Sequence, residues 1–124
     1  MSTAPLFQLT TLGALKLRNR IVMAPLTRCR ADANHVPTDL MVTYYAQRAS
    51  AGVIIAEATM VMEGNSSFGG REPGIYSAAQ IAAWKKVTEA VHAKGGQMIL
   101  QLWHGGRACH PYLQGQRDLD NQWQ

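Results

Sequence analysis

Met98-Ile99-Leu100-Gln101-Leu102-Trp103-His104 is an apolar run interrupted by one primary amide, and its reading decides the fold. Bounded by Gly95-Gly96 before it and Gly105-Gly106 after it, the run has the length and composition of a buried strand. Gln101 is the awkward residue. Its amide offers donor and acceptor groups on one flat face. Buried, it must find partners or cost stability. A neighbouring backbone would serve, and so would the planar edge of a ligand with an imide-like N–H beside C=O groups.

Two similar runs precede it. Ile21-Val22-Met23-Ala24 ends at Pro25, and Val53-Ile54-Ile55-Ala56 runs on into Glu57-Ala58-Thr59. Between these two, Thr38 or Asp39 can cap a helix through Ala49, with Gly52 just beyond. Between the second and third runs, Ser77-Ala78-Ala79-Gln80 has capping-box spacing. Ile81, Trp84, Val87 and Val91 then form one apolar face at helical spacing, and Gly95-Gly96 closes the helix. The chain therefore reads strand–helix–strand–helix–strand, with strands apolar on both faces, which implies a parallel sheet covered by helices. Leu6 to Asn19 alternates around Gly13 and suggests a hairpin before the first strand. Residues 63–74 form a long loop rich in Gly, Ser and Asn.

An open sheet and a closed barrel both fit this order. No Gly-x-Gly-x-x-Gly follows a strand, which counts against a dinucleotide-binding open sheet. Each strand ends instead in polar residues: Thr27 and Arg28, Glu57 and Thr59, Gln101 and His104. Polar groups at strand C-termini are what a (β/α)8 TIM barrel site requires. The expectation is that barrel, of which 124 residues supply roughly the first three strand units plus the hairpin. A full barrel takes about 250 residues.

Composition narrows the function. The chain is 47% hydrophobic and 16% charged, with net charge +4. Its basic residues are scattered and do not alternate with aromatics, so no nucleic-acid partner is expected. Cys29 and Cys109 are too few for a disulfide framework, and Met1-Ser2-Thr3-Ala4-Pro5 lacks the features of a signal peptide. No apolar run is long enough to span a bilayer. A cytoplasmic, non-membrane protein is expected.

Individually, the polar strand ends are ambiguous. Pro25 can simply end a strand, or Pro25-Leu26-Thr27 can present backbone and hydroxyl groups at a barrel mouth. Ala58 fits a small residue packed under a helix as well as a place where a flat ring approaches the backbone. Glu57 can pair with an arginine of the barrel. Gln101 and Trp103 share a strand face, and Trp103 suits either core or a pocket wall. His104, Cys109 and His110 do not complete a known metal-ligand spacing, so no metal site is expected. Cys29 in its basic stretch reads as a loop cysteine rather than a reactive one.

Order adds what single residues lack. Asn19-Arg20-Ile21-Val22-Met23-Ala24-Pro25-Leu26-Thr27-Arg28, Tyr44-Tyr45-Ala46-Gln47-Arg48-Ala49, Glu57-Ala58-Thr59, Pro73-Gly74-Ile75-Tyr76-Ser77, Val91-His92-Ala93-Lys94-Gly95-Gly96 and Gln101-Leu102-Trp103-His104-Gly105-Gly106-Arg107 occur in sequence. Together, over residues 6 to about 115, they resemble the N-terminal part of the Old Yellow Enzyme family of FMN-dependent ene-reductases. The resemblance implies a TIM barrel holding FMN at its C-terminal mouth, with NADPH or NADH as electron donor and an activated alkene, such as an α,β-unsaturated carbonyl, as substrate. It implies that Pro25, Leu26, Thr27, Ala58 and Gln101 bind the cofactor. Thr27 would lie near flavin O4 and Gln101 at the pyrimidine edge, and Thr27 and Trp103 would border the substrate.

The sequence also departs from the family. The family's carbonyl-binding His/His or His/Asn pair, its tyrosine proton donor and its FMN-phosphate residues lie beyond this chain, so no catalytic residue is assigned within it. A substrate-pocket tyrosine of the family is replaced here by Gly69, beside Phe68. Residues 1–115 match the barrel portion, whereas the polar tail 116–124 does not. The expectation is a chain incomplete and inactive alone, with a complementary chain or a homo-oligomer as its macromolecular partner. A non-catalytic assembly module and an FMN barrel of the dienoyl-CoA-reductase type are the alternatives.

Overall fold

The computed structural model describes residues 4–109. Pro5–Phe7 forms a 3-10 turn, followed by β1 (Thr10–Leu12) and β2 (Leu15–Leu17). These pair antiparallel as the expected hairpin, Thr10 opposite Leu17 and Leu12 opposite Leu15. Gly13 turns the chain at φ 57°, a conformation glycine adopts without a Cβ clash.

A separate parallel sheet has the order β3 (Val22–Met23), β4 (Val53–Met60), β5 (Met98–Trp103). Helices α1 (Asp39–Ala46) and α2 (Ala78–Ala93) provide the crossovers. The core lies between them and the sheet. Met41, Tyr45 and Ala49 meet Ile54, Ala56, Trp84, Val87 and Val91, with Met23, Met98 and Leu100 packed against them. Val87 and Val91 are fully enclosed, a burial that contributes about 1.5–3 kcal/mol for each such side chain. The resulting β–α–β–α–β order is the expected barrel beginning.

Local chemistry adjusts the expected boundaries. β3 pairs over two residues rather than four, and Pro25, just beyond it, brings no N–H to extend the ladder. α1 ends at Ala46, not Ala49. Arg48 and Ala49 take tighter bonds to Tyr45 and Ala46, a 3-10 finish. The Thr38 hydroxyl makes no cap; it donates to the Arg30 carbonyl at 2.8 Å.

The capping box of α2 forms as the spacing requires. Gln80 does more than cap. Its amide oxygen accepts from Tyr76 and Ser77, and its nitrogen donates to the Asn34 carbonyl. Turning Gln80 inward brings 80, 84, 87 and 91 onto the buried face. Ile81, expected on that face, is rotated off it and 54% exposed. Trp84 stays inside and donates to the Gly74 carbonyl. Gly95, at φ 69°, closes the helix. A Cβ at Gly96 would sit 2.8 Å from the Ala49 carbonyl oxygen, so glycine lets β5 begin against the end of α1.

The largest correction concerns β5. It was expected to be buried on both faces, like β4. Met98 and Leu100 do pack against the helical core, but Ile99 is 38% and Leu102 65% exposed. β5 is the edge of the sheet among the described residues, so neither its outer side nor Leu102 is covered.

Candidate functional site

A break in the ladder between β4 and β5 builds the site. Ile55 pairs with Ile99, yet the next pairs are Ala58 with Gln101 and Met60 with Trp103. Two residues of β4 thus stand against one of β5, which is a β-bulge. Ala56 packs into the core and the Glu57 side chain reaches α1. Ala58 is then aimed at the other face of the sheet, beside Gln101. The helices occupy one face, and Ala58, Gln101 and Trp103 lie on the opposite one.

Glu57 is 1% exposed. Its Oε1 accepts from the Tyr45 hydroxyl at 2.9 Å, and its Oε2 from the Arg28 backbone N–H at 3.1 Å. The Tyr45 oxygen in turn accepts from the Glu57 N–H at 3.0 Å. The expected arginine partner is therefore a tyrosine hydroxyl together with backbone. Burial pushes the Glu57 carboxyl above its usual range, against the hydrogen bonds from Tyr45, Arg28 and Cys29. Burial likewise pushes the Tyr45 hydroxyl up, and the nearby Glu57 adds to this.

The loop after β4 is organised by two side chains that the sequence did not announce. Glu72, fully buried, accepts from the backbone N–H groups of Ser67, Phe68 and Gly70. Its burial alone would raise the carboxyl's pKa, but its own backbone N–H, the Ser66 hydroxyl and the N–H groups of Phe68 and Ser67 outweigh that and hold it below the ordinary value. Asn65 donates to the Trp103 carbonyl at 3.1 Å and accepts from the Gly105 N–H at 2.8 Å. The loop is thereby tied to the C-terminal end of β5. The only available signal was two carboxylates, Glu63 and Glu72, and one asparagine within a Gly- and Ser-rich stretch.

Trp103 stacks at a tilt with Phe68, ring centroids 5.7 Å apart. Its indole N–H is buried without an acceptor among the described residues. No partner among the described residues engages the Gln101 amide or the Thr27 hydroxyl either. Pro25 and Thr27 are half-buried just after β3. Leu26 is 56% exposed and borders a hollow with Ile21, Met23 and Tyr44. The structure thus brings Ala58 and Gln101 side by side and puts Pro25, Leu26 and Thr27 at the same end of the sheet, beyond β3. An amide beside a small alanine, and a hydroxyl at the same end of the sheet, both without partners among the described residues, form a polar set that fits the edge of a flavin ring.

The remaining candidates have local roles. His104 Nδ1 accepts from the Gly106 N–H, and the Cys109 thiol donates to Asn65 Oδ1 at 2.9 Å. His110 and the tail 116–124 lie outside the described residues. Cys29 sits at φ 53° and its thiol donates to the Phe68 carbonyl. Burial raises the thiol's pKa, and Glu72 and Glu57 add to the effect. That environment does not favour a thiolate. Among the described residues no helix is long and apolar enough to cross a membrane.

Known proteins resemble the chain in sequence and in fold. The family model described as NADH:flavin oxidoreductase / NADH oxidase family matches residues 5–122. A protein named probable flavin mononucleotide-dependent alkene reductase, from Leishmania infantum, is 54% identical over 99 residues, 80% of this chain and 27% of its own length. The structure of the old yellow enzyme from Trypanosoma cruzi matches with TM-score 0.83 and 55% identity, over 87% of this chain and 29% of that one. The old yellow enzyme homologue from Zymomonas mobilis matches with TM-score 0.84 and 50% identity, over 89% and 31%. The chain spans less than a third of the length of these relatives. Its three parallel strands correspond to the start of their TIM barrel. By sequence and by fold, the chain belongs to the NADH:flavin oxidoreductase / NADH oxidase family.

Proposed function

We propose that these residues form the FMN-contacting N-terminal part of an ene-reductase that takes electrons from NADPH or NADH and reduces activated alkenes such as α,β-unsaturated carbonyls. The observation that carries the reading is the Ala58–Gln101 register pair, turned by a bulge onto the sheet face the helices leave free. Bound there, FMN would supply the hydride transfer between nicotinamide and alkene. The chain's own residues orient and tune. Ala58 lets the flat ring approach the strand. Gln101 matches donor and acceptor to the pyrimidine edge. Pro25 and Leu26 would border the ring, and the Thr27 hydroxyl would donate to it, which would favour negative charge on the reduced ring. Trp103 borders the alkene. None of these residues moves a proton, and we assign no catalytic acid or base to this chain.

Three strands cannot close a barrel. Residues 1–115 are read as its first portion, completed by further strands in the same protein or a complementary chain, with turnover absent from the 124 residues alone. The setting we propose is cytoplasmic, without nucleic-acid or membrane partners. The test is an absorbance spectrum of the full-length gene product followed by an assay with 2-cyclohexenone and NADPH. A flavin spectrum with turnover supports the reading; a colourless protein that does not take up added FMN contradicts it. Turnover by the 124-residue chain alone would overturn its proposed dependence on the remaining strands.

A further inference from the structure

We propose that Glu57 is a positioning residue, setting Thr27 and Ala58 against the cofactor by gripping the Arg28 backbone N–H with one oxygen and the Tyr45 hydroxyl with the other. The inference rests on the FMN reading above and deepens it. Residues 27 and 28 share a rigid peptide plane. Holding the Arg28 N–H fixes the orientation of the Thr27 carbonyl and, through it, the Cα that carries the Thr27 hydroxyl. Among the described residues this bond ties the Pro25–Arg28 backbone to β4.

The second grip sets the bulge. Tyr45 donates to the Glu57 carboxylate and accepts from the Glu57 N–H, so it holds both ends of the residue. With Glu57 held toward α1, the following residue turns to the opposite face, where Ala58 meets Gln101. One buried carboxylate therefore reaches two cofactor-contacting positions, one in the segment after β3 and one on β4, though it touches no cofactor itself. A salt-bridge partner for a surface arginine would need neither the tyrosine nor the backbone donor.

The test uses the full-length gene product, flavin-free for the first of two readouts and FMN-loaded for the second. The disruptive variant is Glu57→Leu with Tyr45→Phe, which removes both polar partners together so that no buried hydroxyl is stranded. Glu57→Gln is the conservative rescue, because its amide oxygen can still accept from Arg28. The first readout is amide hydrogen exchange at Arg28 in flavin-free protein, expected about tenfold faster or more in the disruptive pair from loss of one hydrogen bond, and near wild type in Glu57→Gln. The second is the flavin reduction potential. It should move in the same direction as in Thr27→Ala, with little further movement when the disruptive pair is added to Thr27→Ala.

Unchanged Arg28 exchange would overturn the grip. Full additivity with Thr27→Ala, or an unmoved potential, would overturn its role toward the cofactor. A wild-type protein that carries no flavin would instead overturn the FMN reading, while the exchange readout still decides whether Glu57 holds the segment.

Discussion

β4 and β5 are neighbouring parallel strands, each an apolar run with one conspicuous polar residue, yet those residues do opposite things. Glu57 in β4 is enclosed and fully engaged by protein partners. Gln101 in β5 is half-buried on the open sheet face, with its amide unengaged among the described residues. Burying a polar group is costly unless it is hydrogen-bonded. The molecule meets that requirement internally at Glu57. At Gln101 the described residues leave it unmet, and the proposed flavin would meet it. The first polar residue holds the fold, and in our proposal the second reads the cofactor.

Removing each residue should separate the two roles. Glu57→Ala leaves the donors of Arg28 and Tyr45 without an acceptor, and we expect about 3–5 kcal/mol loss of stability in flavin-free protein, read from the urea midpoint. Gln101→Leu should move that midpoint by less than about 0.5 kcal/mol, because it breaks no protein hydrogen bond. Equal losses in the two variants would break the comparison.

The two buried carboxylates sharpen it through pH. Glu57 is raised above its ordinary 4.5, so its folded state holds the proton longer than the unfolded one. Its contribution to stability is greatest below 4.5 and falls as pH rises from there through its folded value. Glu72 is lowered from the same 4.5, so its contribution is full above that value and is lost as pH falls from there through its lower folded value. Glu57→Gln should flatten the fall on the alkaline side of 4.5, and Glu72→Gln the fall on the acid side. Stability curves between pH 3 and 8 check both signs. The smallest effect belongs to the surface. Lys85 and Glu89 pair at 3.8 Å while largely exposed. Lys85→Ala should change stability by no more than about 0.5 kcal/mol.

Local chemistry decided which of these features the sequence disclosed. α2 was legible because Ser77, Gln80 and Gly95 act within a few residues of one another. The strand order was legible because three apolar runs alternate with helix signals. The bulge was not, since Ala56-Glu57-Ala58 looks like a strand continuing and only its pairing with β5 shows the extra residue. Ile81 was placed on the wrong face because a glutamine, not an isoleucine, was worth burying once Asn34, Tyr76 and Ser77 offered it partners. Tyr45, Asn65 and Glu72 went unnoticed because their partners lie in other segments or on backbone. Of the proposed site, Gln101 and Ala58 were singled out by motif order, while their adjacency came from the register.

FMN titration of the full-length gene product, wild type against Gln101→Leu, tests the central claim most directly. Loss of the pyrimidine-edge hydrogen bonds should weaken FMN binding at least about tenfold, with the urea midpoint of the flavin-free protein unchanged. Equal FMN affinity in the two proteins would show that the amide of Gln101 is not the group that reads the flavin.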